Sequence, residues 1–247
     1  MLEQAYRNAV SGCPGPVHLQ FQGNEGQIDL EEAELEPLND MRFISIPPFR
    51  PEAENSDINR ALDLLQKAER PVIISGGGVK YSNAAPQLCK LAESLNIPVA
   101  TSLNGKDTFL GNHPLSAGVA GTYSRNSANH VIGEADLVCF IGSKTGGMTT
   151  HFWQAPPIDK DIIQIDIDPQ VIGINYPLKA AVNGDARSVL ETMIDLMDKT
   201  TASRRTNWKI RVKEIVDSWY TEFDTLLNSD DIPIRPERLC SDLTNYV

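Results

Sequence analysis

Apolar residues along this chain fall into short, evenly spaced runs, separated by stretches with helical periodicity. The run Pro71-Val72-Ile73-Ile74-Ser75 reads as a buried strand, because a strand covered on both faces has no polar positions to alternate with. Gly76-Gly77-Gly78 ends it, and Ser82 is placed to open a helix reaching about Leu95, with Leu88, Leu91, Ala92 and Leu95 on one face. Before it, Ser56 or Asp57 is the expected cap of a helix carrying Ile58, Ala61, Leu62, Leu65 and Ala68. After it, residues 97–102 give a second strand, and 127–133 a short helix beyond a glycine-punctuated loop. Residues 136–143 give a third strand stopped by Gly142, 161–169 a fourth, and 180–185 a fifth. A helix from about Ala186 then places Val189, Leu190, Met193, Ile194 and Met197 inward.

Strands and helices alternate in this way over residues 57–199. The pattern predicts an α/β fold: a Rossmann-like, doubly wound, mostly parallel sheet of five to six strands with helices on both faces. Ligands of such sheets sit outside the carboxyl ends of the strands. Here those ends are Gly76 to Gly78, Ser102, Gly142-Ser143, Asp166 to Asp168 and Gly184-Asp185. Glycine lets a backbone approach a ligand closely, yet three contiguous glycines lack the G-x-G-x-x-G spacing, and a tight packing turn explains them about as well.

The flanks read differently. Leu2, Ala5, Tyr6 and Ala9 recur at helical spacing, Gly12-Cys13-Pro14-Gly15-Pro16 breaks that helix, and 17–21 alternates like a strand. Residues 22–56 are rich in Glu, Asp and Pro, and the acidic run 29–36 reads as a solvated linker surface. Residues 200–230 are helical with a partial apolar face, and Pro236 starts another helix. The expected division is therefore 1–28, a linker over 29–56, a central unit over 57–199, and a helical connection over 200–247.

Composition narrows the possibilities. A formal charge of −11 argues against a generic nucleic-acid surface, while leaving room for a local basic pocket. No run reaches the roughly 18 apolar residues of a membrane span. Cys13, Cys89, Cys139 and Cys240 are scattered, with no C-x-x-C pair; Cys89 and Cys139 read as reduced, buried small hydrophobes, which favours a cytoplasmic origin. His113, His130 and His151 read as loop or surface residues.

The joint order of several short motifs resembles one family. The motifs are Arg70-Pro71-Val72 through Gly76-Gly77-Gly78, Ile97-Pro98-Val99-Ala100-Thr101, Gly105-Lys106, His113-Pro114-Leu115, Ala135-Asp136-Leu137 through Gly142, Ile165-Asp166-Ile167-Asp168, and Gly184-Asp185-Ala186. Together they resemble the central domain of thiamine-diphosphate-dependent enzymes of the acetolactate synthase-like group, whose members act on 2-keto acids by carboligation or decarboxylation. Gly12 to Val17 resembles the end of that group's N-terminal pyrimidine-binding domain, and Ile234 to Leu239 the entry to its C-terminal diphosphate-binding domain.

The resemblance implies that thiamine diphosphate and Mg²⁺ belong to those two outer domains, that the parent assembles as a dimer or tetramer, and that this chain alone is inactive. Gly184-Asp185-Ala186 echoes the diphosphate motif only superficially, since its third residue is alanine and Asn207 is followed by Trp208. In some members the central domain holds FAD, in others an ADP moiety. The resemblance maps the contacts to Gly76, Gly77, Gly78, Ser102, Leu103, Gly121, Gly142, Ser143, Lys144, Asp166, Ile167 and Asp185. FAD-binding members carry arginines and aspartates after the glycine that ends the third strand; here Ser143-Lys144-Thr145-Gly146-Gly147-Met148 stands instead, and Lys144 offers only a point charge. The alternative is a stand-alone nucleotide-binding module for FAD, ADP or NAD without catalysis.

Overall fold

The computed structural model describes residues 1–20, 40–198 and 204–246. Strands β1 (Pro71–Ser75), β2 (Val99–Thr101), β3 (Ser116–Val119), β4 (Leu137–Ile141), β5 (Asp161–Asp166) and β6 (Ala180–Asn183) form one parallel sheet in the order β3-β2-β1-β4-β5-β6. The chain runs outward from β1 to β3, then returns to place β4 on the other side of β1. The strand order therefore reverses between β1 and β4, the position at which doubly wound sheets open a crevice.

Side-chain alternation across the sheet builds two cores. Ile73, Cys139 and Ile163 pack on one face with helices α2 (Asn55–Lys67), α4 (Ala85–Leu95) and α6 (Ala186–Leu196). Val72, Ile74, Val138, Phe140 and Ile162 pack on the other with α5 (Asn126–Glu134) and α7 (Thr206–Leu227). The helix α1 (Leu2–Val10) precedes this unit, α3 (Gly77–Tyr81) follows β1, and α8 (Pro236–Tyr246) ends the chain. The expected sheet of five to six strands with helices on both faces is present. Among the described residues no helix is long and apolar enough to cross a membrane.

Four local expectations are corrected. The three glycines do not merely precede a helix: Gly76 is the N-cap of α3, which occupies Gly77–Tyr81 before a break at Ser82 and the left-handed Asn83. Helix α2 begins at Asn55 behind Glu54, one turn before full commitment of its apolar face, rather than at Ser56 or Asp57. Residues 17–20 form no strand and pair with none of the six strands, and residue 21 of that expected strand lies outside the described residues. The glycine-punctuated loop contains β3, an edge strand of small residues whose register shifts against β2 between Val99 and Ala100. The acidic run 29–36 and both outer linker boundaries, 28/29 and 199/200, lie outside the described residues.

Arg205 fixes the approach to α7. It is 1% exposed, and its guanidinium donates to the carbonyls of Leu65, Ala68 and Leu95 at the ends of α2 and α4. Those are the negative ends of two helix dipoles, and a buried cation satisfies carbonyls that have no intrahelical partner. Burial pulls Arg205 down to about 10, still protonated at neutral pH. The indole of Trp208 donates to Pro71 O at 2.9 Å, so α7 is tied to the start of β1.

Candidate functional site

The exits of β1 and β4 meet backbone to backbone. Gly76 N donates to Ile141 O at 2.8 Å, Gly78 N to Gly142 O at 3.0 Å, and Gly142 N to Ile165 O at 2.8 Å. A Cβ on Gly76 would stand 2.1 Å from Gly142 O, and one on Gly78 would stand 2.6 Å from Gly142 Cα. Gly142 is itself left-handed, at φ +60°. Gly76, Gly78 and Gly142 are thus required by the seam between the strands. Gly77 is different: a Cβ there meets nothing nearer than Asn104 Cβ at 3.8 Å. Its bare backbone faces a crevice of about 620 Å³ that opens at the strand reversal.

The other walls come from the later strand exits. Lys144 and Gly146 to Thr149 follow β4, Asp166 ends β5 and Ile167 follows it, and Gly184-Asp185 follow β6. Asn175 holds the β4 exit in place, its side-chain amide donating to Lys144 O and Thr145 O at 3.2 Å each. Gln164, buried within β5, donates to Ser143 O and accepts from Gly173 N. Beyond these anchors the connection is strained, with Thr145, His151, Phe152 and Trp153 all left-handed, each costing about 1–3 kcal/mol.

Two buried aspartates stand on adjacent strand exits. Asp185 caps α6, accepting from Arg187 N at 3.1 Å and Ser188 N at 3.2 Å, and also accepts from Arg50 Nη1 at 2.9 Å and Ser82 Oγ at 2.8 Å. Asp166, 7% exposed, accepts on one carboxylate oxygen from Asp168 N at 3.0 Å, and it lines the crevice. Burial pushes its carboxyl above the ordinary value, against the lowering effect of the Asp168 and Ile167 backbone amides and of Lys144, while the charge of Asp168 adds to the rise. Lys80 also lines the crevice, paired at its outer edge with Asp107 at 2.6 Å.

Of the twelve residues singled out from the sequence, Gly76, Gly77, Gly78, Ser102, Gly142, Ser143, Lys144, Asp166, Ile167 and Asp185 line this one crevice. Leu103 and Gly121 do not. Leu103 opens a 3₁₀ turn and is 58% exposed. Gly121 acts one layer back: a Cβ there would stand 2.0 Å from Met148 O, so its absence seats the Met148–Thr149 wall. Sequence reasoning missed Gly12, Cys13, Pro14 and Pro47 at the crevice mouth, and the buried hub made by Ser82 and Arg50. The prolines around Arg50 were the one available signal, since they mark an extended segment that lies along a neighbour.

A doubly wound parallel sheet with a glycine-seamed crevice at its strand reversal defines a Rossmann-like α/β domain. Residues 58–193 match the model of the family described as thiamine pyrophosphate enzyme, central domain, and the chain belongs to that family. A probable acetolactate synthase large subunit of Methanocaldococcus jannaschii is 32% identical over 243 residues, covering 97% of this chain and 40% of that protein. Glyoxylate carboligase of Escherichia coli O157:H7 is 29% identical over 247 residues, covering 98% and 40% respectively. Sulfoacetaldehyde acetyltransferase of Roseovarius nubinhibens is 30% identical over 215 residues, covering 84% and 35%. The chain thus spans roughly two fifths of the length of these curated relatives.

Proposed function

We propose that the chain serves as the central domain of a thiamine-diphosphate-dependent enzyme acting on 2-keto acids by carboligation or decarboxylation, and that its crevice holds an adenine nucleotide. The observation that carries the nucleotide reading is Gly77. The seam accounts for Gly76, Gly78 and Gly142, while Gly77 leaves open backbone at the strand reversal with no neighbour of its own to accommodate. A diphosphate would lie against this turn, with Lys144 as a point charge, and the Asp166 carboxylate, which has no side-chain partner, would accept from ribose hydroxyls.

An ADP moiety suits these walls better than full FAD recognition through charged side chains, because Gly146 and Met148 stand beside Lys144. Gly184-Asp185-Ala186 does not fit thiamine diphosphate with Mg²⁺. The Asp185 carboxylate is committed to the fold: Oδ1 accepts from Arg50 and the first turn of α6, and Oδ2 from Ser82. That cofactor therefore belongs to other domains of the parent enzyme, which are the chain's closest partners, together with a second copy in a dimer or tetramer in the cytoplasm.

Thermal unfolding of the purified chain with ADP, FAD, NAD or thiamine diphosphate tests the reading. A ligand bound only by the native state raises Tm by mass action. The expected result is a rise with ADP or FAD and none with thiamine diphosphate. A rise with thiamine diphosphate alone would overturn the assignment, and no response to any of the four would reduce the crevice to an architectural feature.

A further inference from the structure

Away from the crevice, Cys89 and Glu93 stand one turn apart on α4, and His113 reaches them from the turn leading into β3. Cys89 Sγ lies 3.9 Å from His113 Nε2, which lies 3.2 Å from Glu93 Oε1, and all three ligand atoms fall within 4.8 Å of one another. Tetrahedral zinc, with bonds of about 2.3 Å to sulfur and about 2.0–2.1 Å to nitrogen and oxygen, needs separations of about 3.5 Å for S–N and about 3.3 Å for N–O. The sulfur–nitrogen and nitrogen–oxygen pairs are within a few tenths of an ångström of that requirement, and the third pair, within 4.8 Å, closes by rotation of the exposed Glu93 side chain. The ring of Phe109 packs edge-on against His113 at 4.7 Å and holds its orientation. A thiol, an imidazole and a carboxylate form the mixed donor set that suits zinc.

We propose that Cys89, Glu93 and His113 form a zinc site that staples α4 to the edge strand β3. The thiol gives its proton to solvent on binding. His113 binds through Nε2 as neutral imidazole, moves its proton to Nδ1, and gives up the 3.1 Å bond that Nδ1 accepts from Leu115 N. The side chain of Glu93 is 59% exposed, which leaves the fourth coordination position to water. The strand so fastened is the one with the irregular register.

The test uses the full chain with Cys13→Ser and Cys240→Ser, which removes the exposed thiols. Co²⁺ serves as the optical probe and Zn²⁺ as its competitor. The expected spectrum has tetrahedral bands and a thiolate-to-metal charge-transfer band that saturates at one equivalent, is displaced by Zn²⁺, and is lost on adding Cys89→Ser. Zn²⁺ should raise Tm in the parent background and not in Cys89→Ser. Glu93→Gln, a surface change that leaves the core untouched, should weaken Zn²⁺ binding by more than about 10-fold. Absence of the charge-transfer band, its survival in Cys89→Ser, or an unchanged Zn²⁺ affinity in Glu93→Gln would each overturn the proposal.

Discussion

The exits of β5 and β6 lie side by side, and each presents a buried aspartate to the same crevice. At β6, Asp185 has its carboxylate filled by an arginine, a serine and two helix amides. At β5, Asp166 is met only by the backbone amides of its own turn, Ile167 and Asp168, with no side-chain partner, and burial pushes its carboxyl up. The contrast repeats at β1, where Gly76 and Gly78 are locked to Gly142, while a Cβ at Gly77 between them would meet nothing closer than 3.8 Å. Residue type and strand end do not separate structural from ligand-facing groups; the number of internal partners does. A satisfied polar group holds the fold, and an unsatisfied one at a crevice is available for a ligand.

The largest effect that would break this contrast lies at the seam. Gly76→Ala pushes a methyl group onto the Gly142 carbonyl and should cost about 4 kcal/mol or more in urea denaturation, the range of severe backbone overlap. A mild effect would mean that the strands part easily there. Asp185→Ala comes next, at about 3 kcal/mol, from the lost helix cap and the stranded Arg50 charge. Asp166→Asn should leave stability near neutral pH unchanged or raised, and weaken nucleotide binding about 10-fold by calorimetry. Gly77→Ala should keep or slightly raise Tm, as alanine suits a first helical turn, and weaken only the nucleotide.

The pH dependence of stability sharpens the same pair. Because the folded carboxyl of Asp166 lies above its ordinary value of 3.8, the native state holds that proton more tightly than the unfolded chain. Its contribution is therefore favourable below the ordinary value and is lost as pH rises through the raised one. The stability of wild type relative to Asp166→Asn should fall with rising pH across that window, since the other carboxyls titrate alike in both. A difference that does not vary with pH would show that Asp166 is not the group responsible.

Much of the fold was legible in the sequence, and the physical reason is burial. β1, β4 and β5 are covered on both faces, so β1 and β4 show as continuous apolar runs and β5 as a run of isoleucines broken only by Gln164. β3 was hidden because an edge strand of Ser, Ala, Gly and Val carries no such run. α3 was hidden because glycine disfavours helix, and only the pressure of Gly142 against Gly78 selects that backbone. The crevice was legible as a set of strand ends, since ten of the twelve residues singled out converge on it. Which of them are committed was not legible, because the partners of Asp185 are far away in sequence at Arg50 and Ser82. The role of Arg205 was hidden in the same way, its acceptors lying more than a hundred residues upstream.

The most direct test of the distinction between committed and available groups is ADP titration by calorimetry on wild type, Gly77→Ala and Asp166→Asn, with unfolding curves on the same samples. Both variants should fold as stably as wild type and bind ADP about 10-fold or more weakly. Wild-type affinity in both variants, or loss of stability in step with loss of binding, would contradict it.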